Sequence, residues 1–141
     1  MEKYLGLDLG TTTIGIAQSD FLGFVHGVET FRFQAEAYAQ ARKRVHELVE
    51  LTGIKNIVIG LPMNMDGSEG FAANRSRRFV EDLLKEDSSL KIEFQDERMT
   101  TISAHKTLND MNVKGKQRKD SVDRLAACEI LDFYLKMKGN R

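Results

Sequence analysis

The sequence of 141 residues contains a single cysteine, Cys128, and a single proline, Pro62. One cysteine excludes a disulfide framework within the chain, and its apolar, alanine-rich neighbours favour a packed, unreactive thiol. The scarcity of proline and the lack of repeats, low-complexity segments and Ser/Gly/Pro-rich tracts argue against linkers. We therefore expect one domain over residues 1–141.

Long apolar runs and an excess of one charge are also missing. No run approaches the length of a membrane span and the N-terminus has no signal-peptide pattern, so we expect a cytoplasmic protein with no membrane partner. The 21 basic residues balance the 21 acidic ones. A nucleic-acid partner is therefore not implied by total charge, and any basic footprint must be local.

Hydrophobic periodicity predicts an α/β protein. The predicted elements are strands at 3–9, 12–19 and 22–33, a helix at 36–52, a strand at 56–61, a helix at 71–86, a strand at 90–95, a helix from Thr100 or Thr101 to about 109, and a helix from about 120 to 138. Short connections make the first three strands an antiparallel meander, and helical crossovers make the later strands parallel. This order predicts a mixed five-stranded sheet flanked by helices, which resembles the ribonuclease H-like architecture.

Asp8 stands in a strand that is otherwise apolar. Its neighbours in Leu7-Asp8-Leu9-Gly10 are apolar or small, and a strand this apolar is predicted to be buried in the sheet. An unpaired buried carboxylate costs on the order of several kcal/mol unless it is paired or bound to a cation. We therefore expect Asp8 to anchor a site.

Two further acidic residues stand where such a site could form. Glu97 follows the strand at 90–95, and Asp123 stands near the predicted start of the last helix. Ligands of α/β sheets bind at strand ends, and a helix start above the sheet could add a third carboxylate. Three oxygen ligands without a cysteine or histidine cluster favour a hard cation, Mg²⁺ or Mn²⁺.

Structural roles compete for the same residues. Spacing alone divides Asp123 evenly between a metal ligand and a partner of the helix dipole, and it favours a solvated strand end for Glu97. Asp120 precedes the predicted helix and is interpreted as its N-cap. Asp96 is a candidate substitute ligand.

Four separate motifs resemble the YqgF family of RuvX-type proteins. They are Leu7-Asp8-Leu9-Gly10 with Ile14-Gly15-Ile16-Ala17, Gly60-Leu61-Pro62 with Asp66-Gly67, Asp96-Glu97-Arg98-Met99-Thr100-Thr101, and Val122-Asp123 with Ala126-Ala127 and Ile130-Leu131. The resemblance covers essentially the whole chain. It implies a RuvC-like, ribonuclease H-like fold in which Asp8, Glu97 and Asp123 form a catalytic, metal-binding triad. RuvC-type enzymes have a fourth acidic residue near the third, and Asp120 is the nearby candidate here.

Basic residues near these motifs are candidates for nucleic-acid contacts: Arg75, Arg98, Lys114, Lys116, Arg118 and Lys119. The run from Lys114 to Lys119 is equally well interpreted as a phosphate clamp and as a solvated loop. Arg98 either contacts phosphate or neutralises the acidic cluster, and Arg75 is near enough to the loop at 62–70 to reach a ligand. No aromatic-rich basic stretch is present, which favours recognition by shape and backbone.

The preferred hypothesis is a metal-dependent nuclease of structured nucleic acid. The resemblance implies maturation of the 5′ end of pre-16S ribosomal RNA, or resolution of branched DNA at Holliday junctions, which would need a homodimer rather than a monomer. A non-catalytic nucleic-acid-binding module is a further alternative. Asp8-Leu9-Gly10-Thr11-Thr12 also resembles the phosphate-binding turn of actin-like kinases and ATPases, but 141 residues are too few for their two lobes.

Overall fold

The structure is a computed structural model that describes residues 2–98 and 115–139, with the backbone alone for residues 115–120. The strands are β1 (Tyr4–Leu9), β2 (Thr13–Ser19), β3 (Val25–Arg32), β4 (Asn56–Leu61) and β5 (Lys91–Asp96). The helices are α1 (Tyr38–Thr52), α2 (Phe71–Glu86) and α3 (Gly115–Met137). Lys114 and the helix predicted from Thr100 or Thr101 to 109 lie outside the described residues.

The five strands form one mixed sheet in the order β3-β2-β1-β4-β5. The first three strands pair antiparallel, as the short turns predict, while β4 pairs parallel with both β1 and β5. This confirms the predicted meander with parallel additions. It also places β1, and therefore Asp8, at the centre of the sheet.

Helices cover both faces of the sheet. On one face, Leu5, Leu7 and Leu9 pack in the larger core cluster with the buried sides of α1 and α2. On the other face, Tyr4 packs with the alanines and leucines of α3 in a second cluster. Because both faces are covered, β1 reads as a continuous apolar run rather than as an alternating one.

Most helix predictions are confirmed in detail. Periodicity predicts one apolar face for Ala37, Ala41, Val45, Leu48 and Val49. The last four are buried in α1, whereas Ala37 is the N-cap and is half-buried. The helix stops at Gly53, whose φ of 73° is the left-handed conformation that glycine adopts most readily.

Two predictions about helices are wrong. The periodicity of the helix at 71–86 predicts an inward face of Phe71, Phe79, Val80, Leu83 and Leu84, but Phe71, at the first position of α2, is 93% exposed and Leu84 is 36% exposed. The last helix begins at Gly115 rather than near Asp120, so the residues predicted as the end of a basic loop, 115–119, are helical. Charged residues are good helix formers, and polarity alone did not distinguish the two structures.

No helix in the described parts of the chain combines the length and the apolar character needed to span a membrane.

Candidate active site

Asp8 lies near the carboxyl end of the central strand, on the face covered by α3. On one side Asp8 pairs with Gly15 of β2. On the other side, Leu7 pairs with Ile59 of β4, so the next residue of β4, Gly60, lies beside Asp8. Asp8 is thus flanked in both directions by residues without side chains. These two glycines leave room above the sheet for the other acidic residues.

Asp123 reaches this space from the third turn of α3. A Cβ atom added to Gly15 would overlap the backbone carbonyl of Asp123, so the helix can approach the sheet only where β2 has a glycine. The Thr13 hydroxyl, buried on β2, donates a 2.8 Å hydrogen bond to Oδ2 of Asp123. The carboxylate is therefore held in one orientation by a neighbouring strand.

Glu97 reaches the same space from the end of β5. It directly follows Asp96, the last residue of the strand, and is 8% exposed. Its Oε2 atom occupies the position that a Cβ atom would take at Gly60, and its carboxyl carbon lies 3.0 Å from that position. A side chain at position 60 would thus displace the Glu97 carboxylate.

The three carboxyl groups interact strongly. The pKa of Asp8 is raised well above its ordinary value, first by burial, then by the negative charges of Glu97 and Asp123, and finally by a hydrogen bond with Glu97. That hydrogen bond requires a proton on one of the two carboxyl groups. The structure therefore brings together all three acidic residues that the sequence singled out.

The chemistry of this donor set fits a hard divalent cation, since it offers only carboxylate oxygens. Within residues 2–98 and 115–139, however, no three acidic, histidine or cysteine side chains have the arrangement of a ready-made metal site. A bound cation would take the place of the proton that the hydrogen bond between Asp8 and Glu97 requires.

Asp96 and Arg98, on either side of Glu97, are engaged with each other. The Arg98 guanidinium lies 2.6 Å from Oδ2 of Asp96, and the Arg98 backbone N–H donates to Oδ1. This ion pair lowers the pKa of Asp96. Arg98 also donates a 3.3 Å hydrogen bond to the backbone carbonyl of Met65 in the loop at 62–70. Arg98 thus neutralises Asp96 rather than the triad, and Asp96 is already partnered.

The remaining basic candidates lie on two different helices. Lys116, Arg118 and Lys119 stand in the first two turns of α3, before Asp123 on the same helix. Arg75 stands on α2, across the sheet from α3, and lines a groove beside α1. The structure does not bring Arg75 to the carboxylates.

The interpretation of Asp120 as a helix N-cap is wrong. Because α3 begins at Gly115, Asp120 lies in its second turn, and Asp123 likewise lies too far inside the helix to be a first-turn dipole partner. Sequence reasoning also missed Thr13, Gly15 and Gly60 as parts of the site. A small residue opposite a buried acidic one is the signal that could have identified the two glycines.

The fold matches known structures. The structure of Thermus thermophilus RuvC in complex with a Holliday junction substrate superposes with a TM-score of 0.61 at 13% identity, covering 98% of this chain and 97% of that one. A second Thermus thermophilus RuvC structure gives 0.57, covering 96% of each chain. The fold is therefore the ribonuclease H-like fold of RuvC.

The sequence comparisons narrow this fold class. The chain matches the family described as "RuvX: Holliday junction resolvase" over residues 2–137. It is 40% identical to a Geobacillus sp. protein named "Putative pre-16S rRNA nuclease", covering 96% of this chain and 99% of that one. It is 42% identical to a protein of the same name from Lactococcus lactis subsp. cremoris, covering 94% and 93%. The chain belongs to the RuvX family.

Proposed function

We propose that this chain is a metal-dependent nuclease that hydrolyses phosphodiester bonds at Asp8, Glu97 and Asp123. The observation that carries the proposal is the cluster of Asp8 with Glu97 and Asp123, in which burial and the charges of the other two carboxyl groups raise the pKa of Asp8. Perturbed acidic clusters of this kind are typical of functional sites. Membership of the RuvX family supports the same conclusion, since the relatives described above carry the name "Putative pre-16S rRNA nuclease".

The three carboxylates would hold Mg²⁺ or Mn²⁺. When bound, such an ion supplies an activated water and stabilises charge at the phosphate. The chain's own residues fix where this chemistry takes place. Asp8 is anchored by the central strand, and Thr13 orients the Asp123 carboxylate through its hydroxyl. Gly15 and Gly60 keep the space beside Asp8 free of side chains.

A proton and a cation would compete for the Asp8–Glu97 pair. At low pH, the hydrogen bond between these carboxyl groups holds the proton, and metal ligands must be deprotonated to bind. Activity is therefore expected to rise with pH through the raised pKa of Asp8. The pH at half-maximal activity should fall as the metal concentration is increased.

The basic residues near the cluster would bind the substrate backbone. Lys116, Arg118 and Lys119 precede Asp123 on α3, and Lys114 comes directly before that helix in the sequence. The side chain of Arg98, which follows Glu97 in the sequence, is 32% exposed. Phosphate contacts of this type position a nucleic acid without reading its sequence.

The substrate we propose is a precursor of 16S ribosomal RNA, because the relatives at about 40% identity carry that name over nearly their whole length. The role would be maturation of its 5′ end in the cytoplasm. A four-way DNA junction is the second candidate, favoured by the family description and by the junction complex of Thermus thermophilus RuvC. Junction cleavage would require a homodimer, whereas RNA cleavage is open to a monomer.

Cleavage assays distinguish the two substrates. Purified protein with Mg²⁺ or Mn²⁺ is incubated with an end-labelled pre-16S fragment and, separately, with a four-way DNA junction. We expect cleavage of the RNA, none when the metal is chelated, and none by Asp8→Asn. Faster cutting of the junction would assign the protein to DNA, and cutting of neither would remove the nuclease proposal.

A further inference from the structure

A groove of about 560 Å³ lies between α1 and α2, on the opposite face of the sheet from Asp123. Its walls include Tyr38, Arg42, Phe71, Arg75, Arg78 and Phe79. The volume is in the range of ligand-binding clefts. We refer to these residues and the space between them as the α1–α2 groove.

Phe71 is the most unusual side chain of the α1–α2 groove. It stands at the first position of α2 and is 93% exposed, a higher exposure than that of any other large apolar residue in the described chain. An aromatic ring held on a helix and left almost wholly in water offers a flat face for stacking. Nucleic-acid bases are ligands that stack on such rings without sequence preference.

Two arginines beside Phe71 have no acidic partner among the residues whose side chains the structure describes. On the same pair of helices, Arg42 pairs with Asp82 and Glu86, Arg44 with Glu29 and Glu47, and Arg77 with Glu69. Arg75 and Arg78 line the groove, and none of the ion pairs or hydrogen bonds among the described residues involves them. Their guanidinium groups are therefore available to phosphates.

The acidic residues of the groove do not cancel this charge. Arg42 is shared between Asp82, at 3.6 Å, and Glu86, at 3.0 Å. Among the residues that line the groove, the three arginines Arg42, Arg75 and Arg78 stand against Glu36 and Asp82, which leaves a net charge of +1. The first turns of α1 and α2 contain no acidic residue, so neither helix start adds a negative charge to the groove.

The turn that follows Asp8 is hydrogen-bonded to the segment that leads into the groove. The backbone N–H of Glu36, which lines the groove, donates a 2.9 Å hydrogen bond to the carbonyl of Thr11. The backbone N–H of Phe33 donates another of 2.9 Å to the carbonyl of Thr12. One end of the groove is thus tied to the turn at 10–12, directly after the strand that carries Asp8.

We propose that the α1–α2 groove binds a single-stranded extension of the nucleic acid cleaved at Asp8, with a base stacked on Phe71 and phosphates on Arg75 and Arg78. This inference rests on the proposed function, because it assigns a binding site to the part of the substrate strand that lies beyond the cleaved bond. Stacking requires unpaired bases, so a flexible single-stranded flank fits the groove and a continuous duplex does not.

Binding measured without cleavage tests the inference. The full chain in EDTA is titrated into a fluorescein-labelled single-stranded RNA while anisotropy is recorded. Phe71→Ala should weaken binding by roughly 5-fold or more, since stacking on one aromatic ring is worth about that much. The double variant Arg75→Ala, Arg78→Ala should weaken binding and reduce the slope of log K against log salt by about 1.4, or about 0.7 per lost phosphate contact.

Matched control residues lie outside the lining of the groove. Arg77→Ala removes an arginine of α2 that pairs with Glu69, and Phe21→Ala removes a phenylalanine that is 62% exposed on the turn between β2 and β3. Both should bind the single strand as the wild type does. Binding of duplex RNA should be unchanged in Phe71→Ala, because the bases of a duplex are not free to stack.

Each outcome is decisive. If all the groove variants bind the single strand with the affinity and salt slope of the wild type, the inference is overturned and a protein becomes the alternative occupant of the groove. If the wild type does not bind single-stranded RNA at all, the inference is overturned as well. The proposed function fails separately, if Asp8→Asn cleaves as the wild type does. Weakened binding in the groove variants would support the groove even in that case.

Discussion

At the scale of single residues, the site depends on Asp8, whose ionised form is disfavoured by the fold. Asp8 is buried on the central strand beside two other acidic groups, and the pKa of its carboxyl group is raised by all of these causes. Asp8 therefore binds a proton more tightly in the folded protein than in the unfolded chain. The stability associated with that proton is full at low pH and is lost as the pH rises from the ordinary pKa of 3.8 through the raised pKa.

Asp8→Asn should consequently stabilise the metal-free protein at neutral pH. Each unit by which the pKa is raised is worth about 1.4 kcal/mol, and the amide removes that penalty. Thermal unfolding in EDTA should show a higher Tm for the variant at neutral pH, with the difference shrinking as the pH falls toward 4. Added Mg²⁺ should raise the Tm of the wild type more than that of the variant. A variant Tm below that of the wild type at neutral pH would contradict this account.

Thr13 is expected to be a positioning residue. Its hydroxyl donates to Asp123 from a buried position, and loss of groups that orient metal ligands typically lowers metal affinity by about 10–100-fold. Thr13→Val should raise the Mg²⁺ concentration at half-maximal cleavage by that order, while Thr13→Ser restores it. Equal Mg²⁺ dependence in all three proteins would show that the hydrogen bond is only structural.

Some of these residues could be predicted from the sequence and others could not. Asp8 could be predicted because a carboxylate is unusual in a strand that is otherwise apolar. Thr13 could not, because threonine is common in strands and its role arises from a contact with a residue 110 positions away. Glu97 and Asp123 depended on resemblance to a family, since spacing alone favoured a solvated strand end for Glu97 and left Asp123 undecided.

At the scale of elements, the site is formed where α3 crosses the sheet. The backbone of Asp123 lies over Gly15 so closely that a methyl group would not fit. Gly15→Ala should therefore displace α3 and destabilise the protein by about 1–3 kcal/mol, as overpacking of a core does. Urea denaturation provides the measurement.

Gly27→Ala is the matched control for that substitution. Gly27 also faces α3 from the sheet, but a Cβ atom there meets nothing closer than 3.7 Å. Its unfolding free energy should stay within about 0.5 kcal/mol of the wild type. Equal effects at positions 15 and 27 would show that the close approach of α3 does not matter.

The first turns of α3 carry the basic residues proposed to hold the phosphate backbone. Lys116→Ala with Arg118→Ala should weaken nucleic-acid binding and flatten its salt dependence by a slope of about 1.4 to 1.8 for two lost contacts. Binding titrations at several salt concentrations check this. The control is Lys136→Ala in the last turn of the same helix, where the lysine pairs with Asp132. An unchanged salt slope in the double variant would reject the phosphate contacts.

At the scale of the whole molecule, the sheet could be predicted because its signals are local. Short turns between β1, β2 and β3 fix antiparallel neighbours, and the crossovers through α1 and α2 fix parallel ones. The α1–α2 groove could not be predicted in the same way. It depends on how two helices pack side by side, and the apolar character of Phe71 suggested burial where the start of α2 leaves the ring in water.

The central claim is that Asp8, Glu97 and Asp123 act together with a divalent cation to cleave nucleic acid. The most direct test compares Mg²⁺-dependent cleavage of a pre-16S fragment by the wild type, Asp8→Asn, Glu97→Gln, Asp123→Asn and the control Asp132→Asn, which alters a carboxylate farther along α3. The account predicts a loss of at least about 100-fold in each of the three triad variants, as for removal of other transition-state-stabilising groups, and wild-type rates in the control. Wild-type cleavage by any folded triad variant would contradict it.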